Sequence, residues 1–448
     1  MINSKEKSGL TLILLRASLA KGIGAVGSVV LLVVLGNIYG PAGVGVFALA
    51  QSILLGASII ACFGMDNALM RFVGRDFSVP HVMTYLKWAS FKTLQISIIA
   101  ALFILLIRKQ LELFFNADNL SAILIGLAIA TPAFTLSLLF SGFFKGVRKA
   151  GTACLLENGS VSLITAALVF TLHFQSPSSG IYLVGWAYGT AAWMVVLMGV
   201  LSLLQWRKAQ GWDTHQTCSQ ASVTREQFML CSRDFFIMSI ASFMQSVVGI
   251  LIAGWFLSNI ELGYFKSSQQ AAVLISFILI VINSVYPPRF ASLYHQGNYQ
   301  TLALLARQGA LLGVLLASPL LLICLLWPHI VLSIFGAEFS TAAPLLRILA
   351  IAQLINVATG SVGFLLNMTG YESLMRNIAL LSNILGLIMF FVLVPTFGAL
   401  GAALALAFLL ILQNIAALVF VWRCLGIWIL PTPNFLKYLG VQTRLQPK

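Results

Sequence analysis

The chain is 448 residues long, 60% hydrophobic and only 8% charged, with a mean hydropathy of +0.98. Apolar runs of about 20 residues, each enough to cross a ~30 Å hydrocarbon layer, follow one another almost without pause, which excludes a water-soluble globule. The runs are continuous rather than alternating, which selects helices over a closed barrel.

Twelve spans are predicted, at roughly 17–38, 44–66, 88–107, 119–142, 152–172, 180–204, 235–257, 263–287, 308–334, 343–368, 374–394 and 398–422. The first apolar run continues past Arg16 and Lys21 to Ile38, so it is expected to remain a helix rather than a cleaved signal. An even number of spans puts both termini on one side. All but four of the 26 Lys and Arg then fall on that side or in adjoining helix ends, the exceptions being Arg108, Lys109, Lys266 and Arg347. That bias places both termini in the cytoplasm and accounts for most of the net charge of +14 without nucleic acid. The polar connection from Gln205 to Arg233 is the longest, whereas outer connections such as Asn37–Gly43 and Ser258–Leu262 are short. The tail with Trp428, Pro431, Pro433 and Lys437 suits an interfacial segment.

The chain also repeats itself. Shifted by 218 positions, Ser28–Phe72 overlies Ser246–Phe290 without a gap. Ser28, Val29 and Val30 meet Ser246, Val247 and Val248; Gly36, Gly45, Phe47, Gln51 and Ser58 meet Gly254, Gly263, Phe265, Gln269 and Ser276. Arg71-Phe72 meets Arg289-Phe290. This reads as a diverged duplication. It divides the chain into an N-terminal six-helix lobe at 1–210, a cytoplasmic linker at 211–233, a C-terminal six-helix lobe at 234–424 and a tail at 425–448.

No phosphate-binding loop, HExxH or GxSxG elbow occurs, and no extramembrane region has the size of a catalytic domain. No enzyme activity, catalytic residue, cofactor or metal is therefore expected. Cys62, Cys154, Cys218, Cys231, Cys324 and Cys424 have neither disulfide nor metal spacing.

What remains is the polar content of the spans. Lys266, Gln269, Gln270, Ser276 and Asn283 fall within one broad helical face, and the repeat copy keeps Gln51 and Ser58 and adds Asp66. Serines at such positions commonly serve helix packing, but Gln, Asn and Lys are costly against lipid, so these two helices are expected to line an aqueous cavity. Arg16 and Lys21 lie near the inner end of the first span, where snorkelling to the headgroups is the plainer alternative. Arg71 and Arg289 equally suit positive-inside anchors. Asp66 and Glu157 are acids near inner span ends, placed to pair with Arg71 or Lys145 or to titrate during transport.

Several stretches resemble one family: GNIYGPAGVGVFALAQSI leading to FGMDNALMRFVGR, then LGYFKSSQQAAVLISFILIVINSVYPPRFASLY, LSIFGAEFSTAAPLLRILAIAQLINVATG, LLNMTGYESLMRN and PTFGALGAALALA. Together they resemble the Wzx-type polysaccharide-transport branch of the multidrug/oligosaccharidyl-lipid/polysaccharide (MOP) exporter superfamily, over about residues 10–425. The resemblance implies an all-α, MATE-like membrane protein with two six-helix lobes around a cavity. It also implies a flippase that moves polyprenyl-pyrophosphate-linked oligosaccharide across the bacterial inner membrane by alternating access. Arg16, Lys21 and Lys266 would then hold the anionic head, with Arg71 and Arg289 near the inner mouth. Gln51, Gln269, Gln270 and Asn283 would contact sugar, while Asp66 or Glu157 would couple transport to a proton or sodium gradient. Its partners would be membrane lipids and the polysaccharide-assembly machinery, with no nucleic acid. A multidrug antiporter of the same superfamily, a peptidoglycan-precursor flippase with fourteen helices, and a membrane glycan polymerase or ligase are the rival readings.

Overall fold

The structure is a computed structural model that describes residues 4–75, 79–176, 180–210 and 224–429. Every regular element among them is a helix. The first half holds α1 (Ser4–Cys62), α2 (Met65–Arg75), α3 (Val79–Phe115), α4 (Leu120–Gly146), α5 (Ala150–Leu155), α6 (Asn158–Gln175) and α7 (Tyr182–Ala209). Next come α8 (Arg225–Phe243), a π-helical turn at Met244–Val248, α9 (Gly249–Phe256), α10 (Asn259–Ile275) and α11 (Phe277–His295). The chain continues through α12 (Tyr299–Leu326), α13 (Pro328–Ser333), a 3-10 turn at Ala337–Ala342, α14 (Ala343–Thr359), α15 (Val362–Met368) and α16 (Glu372–Leu425).

Seven stretches among the described residues are long and apolar enough to cross a membrane, or eight if α10 and the start of α11, bent by 48°, form one crossing. Two of the seven are pairs of helices joined at a single glycine, Gly40 in α1 (φ 66°, ψ −171°) and Gly398 in α16 (φ 57°, ψ −137°). Both glycines adopt the left-handed φ that a Cβ disfavours, and Pro41 next to the first and Pro395 three residues before the second each remove a backbone donor. The connection expected over Asn37–Gly43 thus shrinks to one non-helical residue.

Other boundaries also move. The span predicted at 88–107 is the much longer α3, whose exposed Ile99, Leu102, Phe103, Leu106 and Leu113 suit a lipid-facing helix. Its Lys87, Lys92, Arg108 and Lys109 do not end it, because Lys and Arg are good helix formers whose charged tips reach water from long stems. The span predicted at 152–172 splits into α5 and α6 around Leu156 and Glu157.

The described chain falls into two compact units: one holds the chain up to Ser267 plus Ser333–Phe339, the other Ser268–Leu332 and the chain from Ser340 onward. In the first, α4 packs against α1, α2, α3 and α7, and α1 against α6. Glycines allow the closest approaches: a Cβ on Gly126 would overlap the backbone of Gly185, and one on Gly159 would overlap Gly24. Without a hydrophobic drive between helices in lipid, such backbone proximity supplies the packing. The segment Ser333–Phe339 is anchored to α1, where the Asn37 amide donates to the Ile334 carbonyl at 2.9 Å and Phe335 and Phe339 are buried. In the second unit, Phe290, Leu302, Leu365, Leu366 and Val421 form a core joining α11, α12, α15 and α16.

One contact bears directly on the repeat. A Cβ on Gly45 would collide with the Asn259 carbonyl, and a Cβ on Gly263 would collide with the Pro41 carbonyl. Gly45 and Gly263 are 218 positions apart, and so are Pro41 and Asn259. The two copies therefore make the same contact reciprocally, as a local two-fold axis requires.

Candidate functional site

The polar residues of the first unit gather where α1, α2, α4, α6 and α7 meet. Asp66 opens α2, which approaches α4 so closely that a Cβ on Gly142 would strike the Asp66 backbone. Glu157 stands at the N-cap of α6 and forms an ion pair with Lys145 of α4 at 2.8 Å, with the Ser141 hydroxyl 3.4 Å from the same carboxylate oxygen. Of the two expected partners, Glu157 thus takes Lys145. Lys145 also acts on Asp66, so one ammonium lies in the field of both acids. Asp66 is half-buried, and desolvation raises its carboxyl above the ordinary carboxylate range. Hydrogen bonding to Asn67 and Cys62 and the charge of Lys145 oppose that shift.

From Glu157 the polar chain runs inward. Its neighbour Asn158 accepts a hydrogen bond from the fully buried Tyr188 hydroxyl at 2.7 Å, and the Gln51 side chain bonds the same hydroxyl. Gln51 is buried within this unit, on the helix that begins after Gly40. The sequence signals Gln51 and the two acids, but not Tyr188: a tyrosine in an apolar run looks like core until the fold brings Asn158 to its hydroxyl.

The second copy looks different. Lys266 on α10 is half-buried and forms no ion pair among the described residues. Ser267 and Ser268 beside it are fully buried, and among the described residues their hydroxyls and the Gln269 side-chain carbonyl have no hydrogen-bond partner. Gln270 is half-buried on the same helix. Asn283 on α11 accepts a hydrogen bond from the Ser361 hydroxyl at 2.5 Å. Arg71 and Arg289 are both exposed, and Arg71 lies 3.5 Å from the Cys231 sulfur. The side chains of Arg16 and Lys21 lie outside the described residues. The structure brings Asp66, Glu157 and Gln51 into one connected set, and places Lys266, Gln269 and Gln270 along one helix.

Known proteins share both the sequence pattern and the fold. Residues 14–294 match the family described as polysaccharide biosynthesis protein. The chain belongs to that family. An uncharacterized membrane protein, MJ1068, of Methanocaldococcus jannaschii is 25% identical over 177 residues, which are 37% of this chain and 34% of that protein. The chain thus spans about a third of the length of that curated relative. Among solved structures, the lipid II flippase MurJ in an inward closed conformation superposes with a TM-score of 0.70 at 11% identity, covering 90% of this chain and 87% of MurJ. An inward-facing multidrug resistance MATE family transporter of the MOP superfamily gives 0.65 at 16% identity, covering 93% and 98%. At such identities the likeness is one of fold. This member of the polysaccharide biosynthesis family is a multi-pass membrane protein with the architecture of MOP transporters.

Proposed function

We propose that the chain is a flippase carrying polyprenyl-pyrophosphate-linked oligosaccharide repeat units across the bacterial inner membrane by alternating access. Such units are precursors of O-antigen, capsule, common antigen or exopolysaccharide. The observation that carries this reading is the stretch Lys266–Gln269 on α10, which with the start of α11 makes the eighth candidate crossing, where an ammonium without an ion pair among the described residues sits beside polar atoms that find no hydrogen-bond partner among them. A cation there is costly until an anion arrives, and a diphosphate supplies the counter-charge through charge-assisted hydrogen bonds. Gln269 and Gln270 follow at three and four residues, on the face where a glycan would hang below its phosphates. Arg16, Lys21, Arg71 and Arg289 would draw the anionic head inward, and Gln51 and Asn283 would complete the sugar contacts.

Twelve crossings with both termini in the cytoplasm, in lobes 1–210 and 234–424, are part of the proposal. The glycine breaks at 40 and 398, the charge bias and the reciprocal Gly45–Gly263 contact support them. We assign coupling to a proton or sodium gradient to Asp66 or Glu157, a reading supported by their shared Lys145. Export would hand the units to the polysaccharide-assembly machinery.

In cells lacking the protein, lipid-linked repeat units should accumulate on the cytoplasmic face and surface polymer should vanish. Lys266→Ala in a chain that still reaches the membrane should reduce export, and Lys266→Arg should retain part of it. Units that still reach the outer face while only drug tolerance changes overturn the flippase reading in favour of a multidrug antiporter. Transport that keeps its gradient dependence in an Asp66→Asn, Glu157→Gln double variant removes both acids from coupling.

A further inference from the structure

The first unit carries a groove made by α3, α4 and α7, outside the polar chain that runs from Asp66 to Gln51. It holds about 440 Å³, within the range of about 300–1,000 Å³ that small-molecule sites occupy. Met83, Thr84, Lys87 and Ser90 of α3, Phe140 of α4 and Leu203 of α7 line it. Phe140 is buried and firmly backed: a Cβ on Gly199 of α7 would come within 2.9 Å of its ring.

The depth of the groove follows from α3. Lys87 and Arg108 are 21 residues apart on this unbroken helix. At 1.5 Å per residue that is about 32 Å, the thickness of one hydrocarbon layer. Between them Phe91, Ile98, Ile99, Leu102, Phe103 and Leu106 are exposed, as a lipid-facing stripe requires. Lys87 therefore stands at the depth of the lipid phosphates, and Lys92, about one turn deeper, can snorkel to the same level. The same end of the unit holds Arg207 and Lys208 in the last turn of α7, and Arg207 follows Leu203 by four residues on one helical face. Lys145, in the last turn of α4, is taken by Glu157. Lys87 is exposed and forms no ion pair among the described residues.

We propose that this groove binds an anionic phospholipid of the surrounding leaflet, its phosphodiester at Lys87 and one acyl chain laid over Phe140, Met83 and Leu203. Thr84 and Ser90 offer hydroxyls one turn to either side of the ammonium. Apolar lining with a cationic rim matches the order of a phospholipid, charge outermost and hydrocarbon beneath. Basic pockets between membrane helices are a general means of holding anionic headgroups. A zwitterionic lipid is the poorer occupant, since its own cation cancels the charge that Lys87 would meet. On the proposed topology this is the cytoplasmic leaflet, whose surface is negative. The site stands whether or not the cargo is a lipid-linked glycan, and it shares no residue with the Lys266 stretch.

The test is native mass spectrometry of the purified, delipidated full-length protein titrated with phosphatidylglycerol, phosphatidylcholine or a polyprenyl phosphate. The first phosphatidylglycerol should bind about fivefold more tightly than the first phosphatidylcholine, the worth of one lysine at a membrane surface. Lys87→Gln should erase that preference, whereas Lys109→Gln at the far end of α3 should keep it. Leu203→Trp, which fills the groove, should lose the first binding step. Equal wild-type affinities for the two phospholipids, or a full preference retained in Lys87→Gln, overturn the site. So does a polyprenyl phosphate that displaces phosphatidylglycerol from the wild type but not from Lys87→Gln, which would give the groove to the cargo lipid. Should Leu203→Trp not fold, the exposed change Lys87→Gln and the wild-type comparison still decide. Export is not part of this readout, so its failure is separable from failure of the flippase reading.

Discussion

The two copies of the repeat share one backbone contact and differ in chemistry. Gly45 and Gly263 each admit the other copy's helix start, at Asn259 and Pro41, in a reciprocal contact. Beyond that contact the copies part. The first leads to Asp66, an acid in the field of Lys145, and through Glu157 to the buried Asn158–Tyr188–Gln51 chain. The second carries Lys266, which forms no ion pair among the described residues, and leads to Asn283, bonded to a hydroxyl at a helix break. The positions the copies share are those that let two helices pass one another, whereas their polar positions differ. In a membrane the contact depends on the absence of a side chain, whereas each polar group depends on its own partner.

The sharpest way to break this comparison is to fill the shared contact. Gly45→Ala and Gly263→Ala each put a methyl against a backbone carbonyl that has no flexible end to move. Each should cost about 1–3 kcal/mol as overpacking. The symmetry predicts similar losses for the two, read as unfolding midpoints of purified protein. A loss confined to one copy would show that the reciprocity is geometric but not energetic.

Much of this was legible in the residues. Apolar run length and Lys/Arg placement indicated a multi-pass helical protein, and the 218-residue shift paired Gly45 with Gly263 before their contact was known. The helix boundaries were less legible. Lys87 and Arg108 look like span ends, yet α3 runs through both because helix propensity, not membrane thickness, decides where a helix stops. The candidate site was legible by residue type and not by partner. Asp66, Glu157 and Gln51 stand out as polar groups in apolar surroundings, but Tyr188 does not. Its role depends on a neighbour 30 positions away in sequence, at Asn158. Such pairings come from the packing of helices, which hydropathy does not encode.

Two predictions sharpen the contrast at the first copy. Tyr188→Phe removes a buried hydroxyl that bonds Asn158 at 2.7 Å and should cost about 0.5–1.5 kcal/mol, because the Asn158 carbonyl loses its donor. A smaller effect is expected at the ion pair. The Lys145 and Glu157 side chains are 41% and 35% exposed, so a double-mutant cycle with Lys145→Met and Glu157→Gln should give a coupling of only about 0.2–1 kcal/mol. A coupling near zero would mean that the pair positions Glu157 without stabilising the fold.

The smallest expected effect belongs to the acid of the first copy. Burial raises the Asp66 carboxyl above its ordinary 3.8, so the folded protein holds that proton more tightly than the unfolded chain does. The contribution to stability is complete below 3.8 and is lost as pH rises through the elevated folded value. Asp66→Asn should therefore flatten this part of the pH dependence and leave the variant no less stable than wild type on the alkaline side. Unfolding midpoints of the two proteins, measured from mildly acidic to neutral pH, make the comparison. Parallel curves would place the titration elsewhere and remove Asp66 as the proton-holding group, leaving Glu157 beside Lys145 as the acid to test.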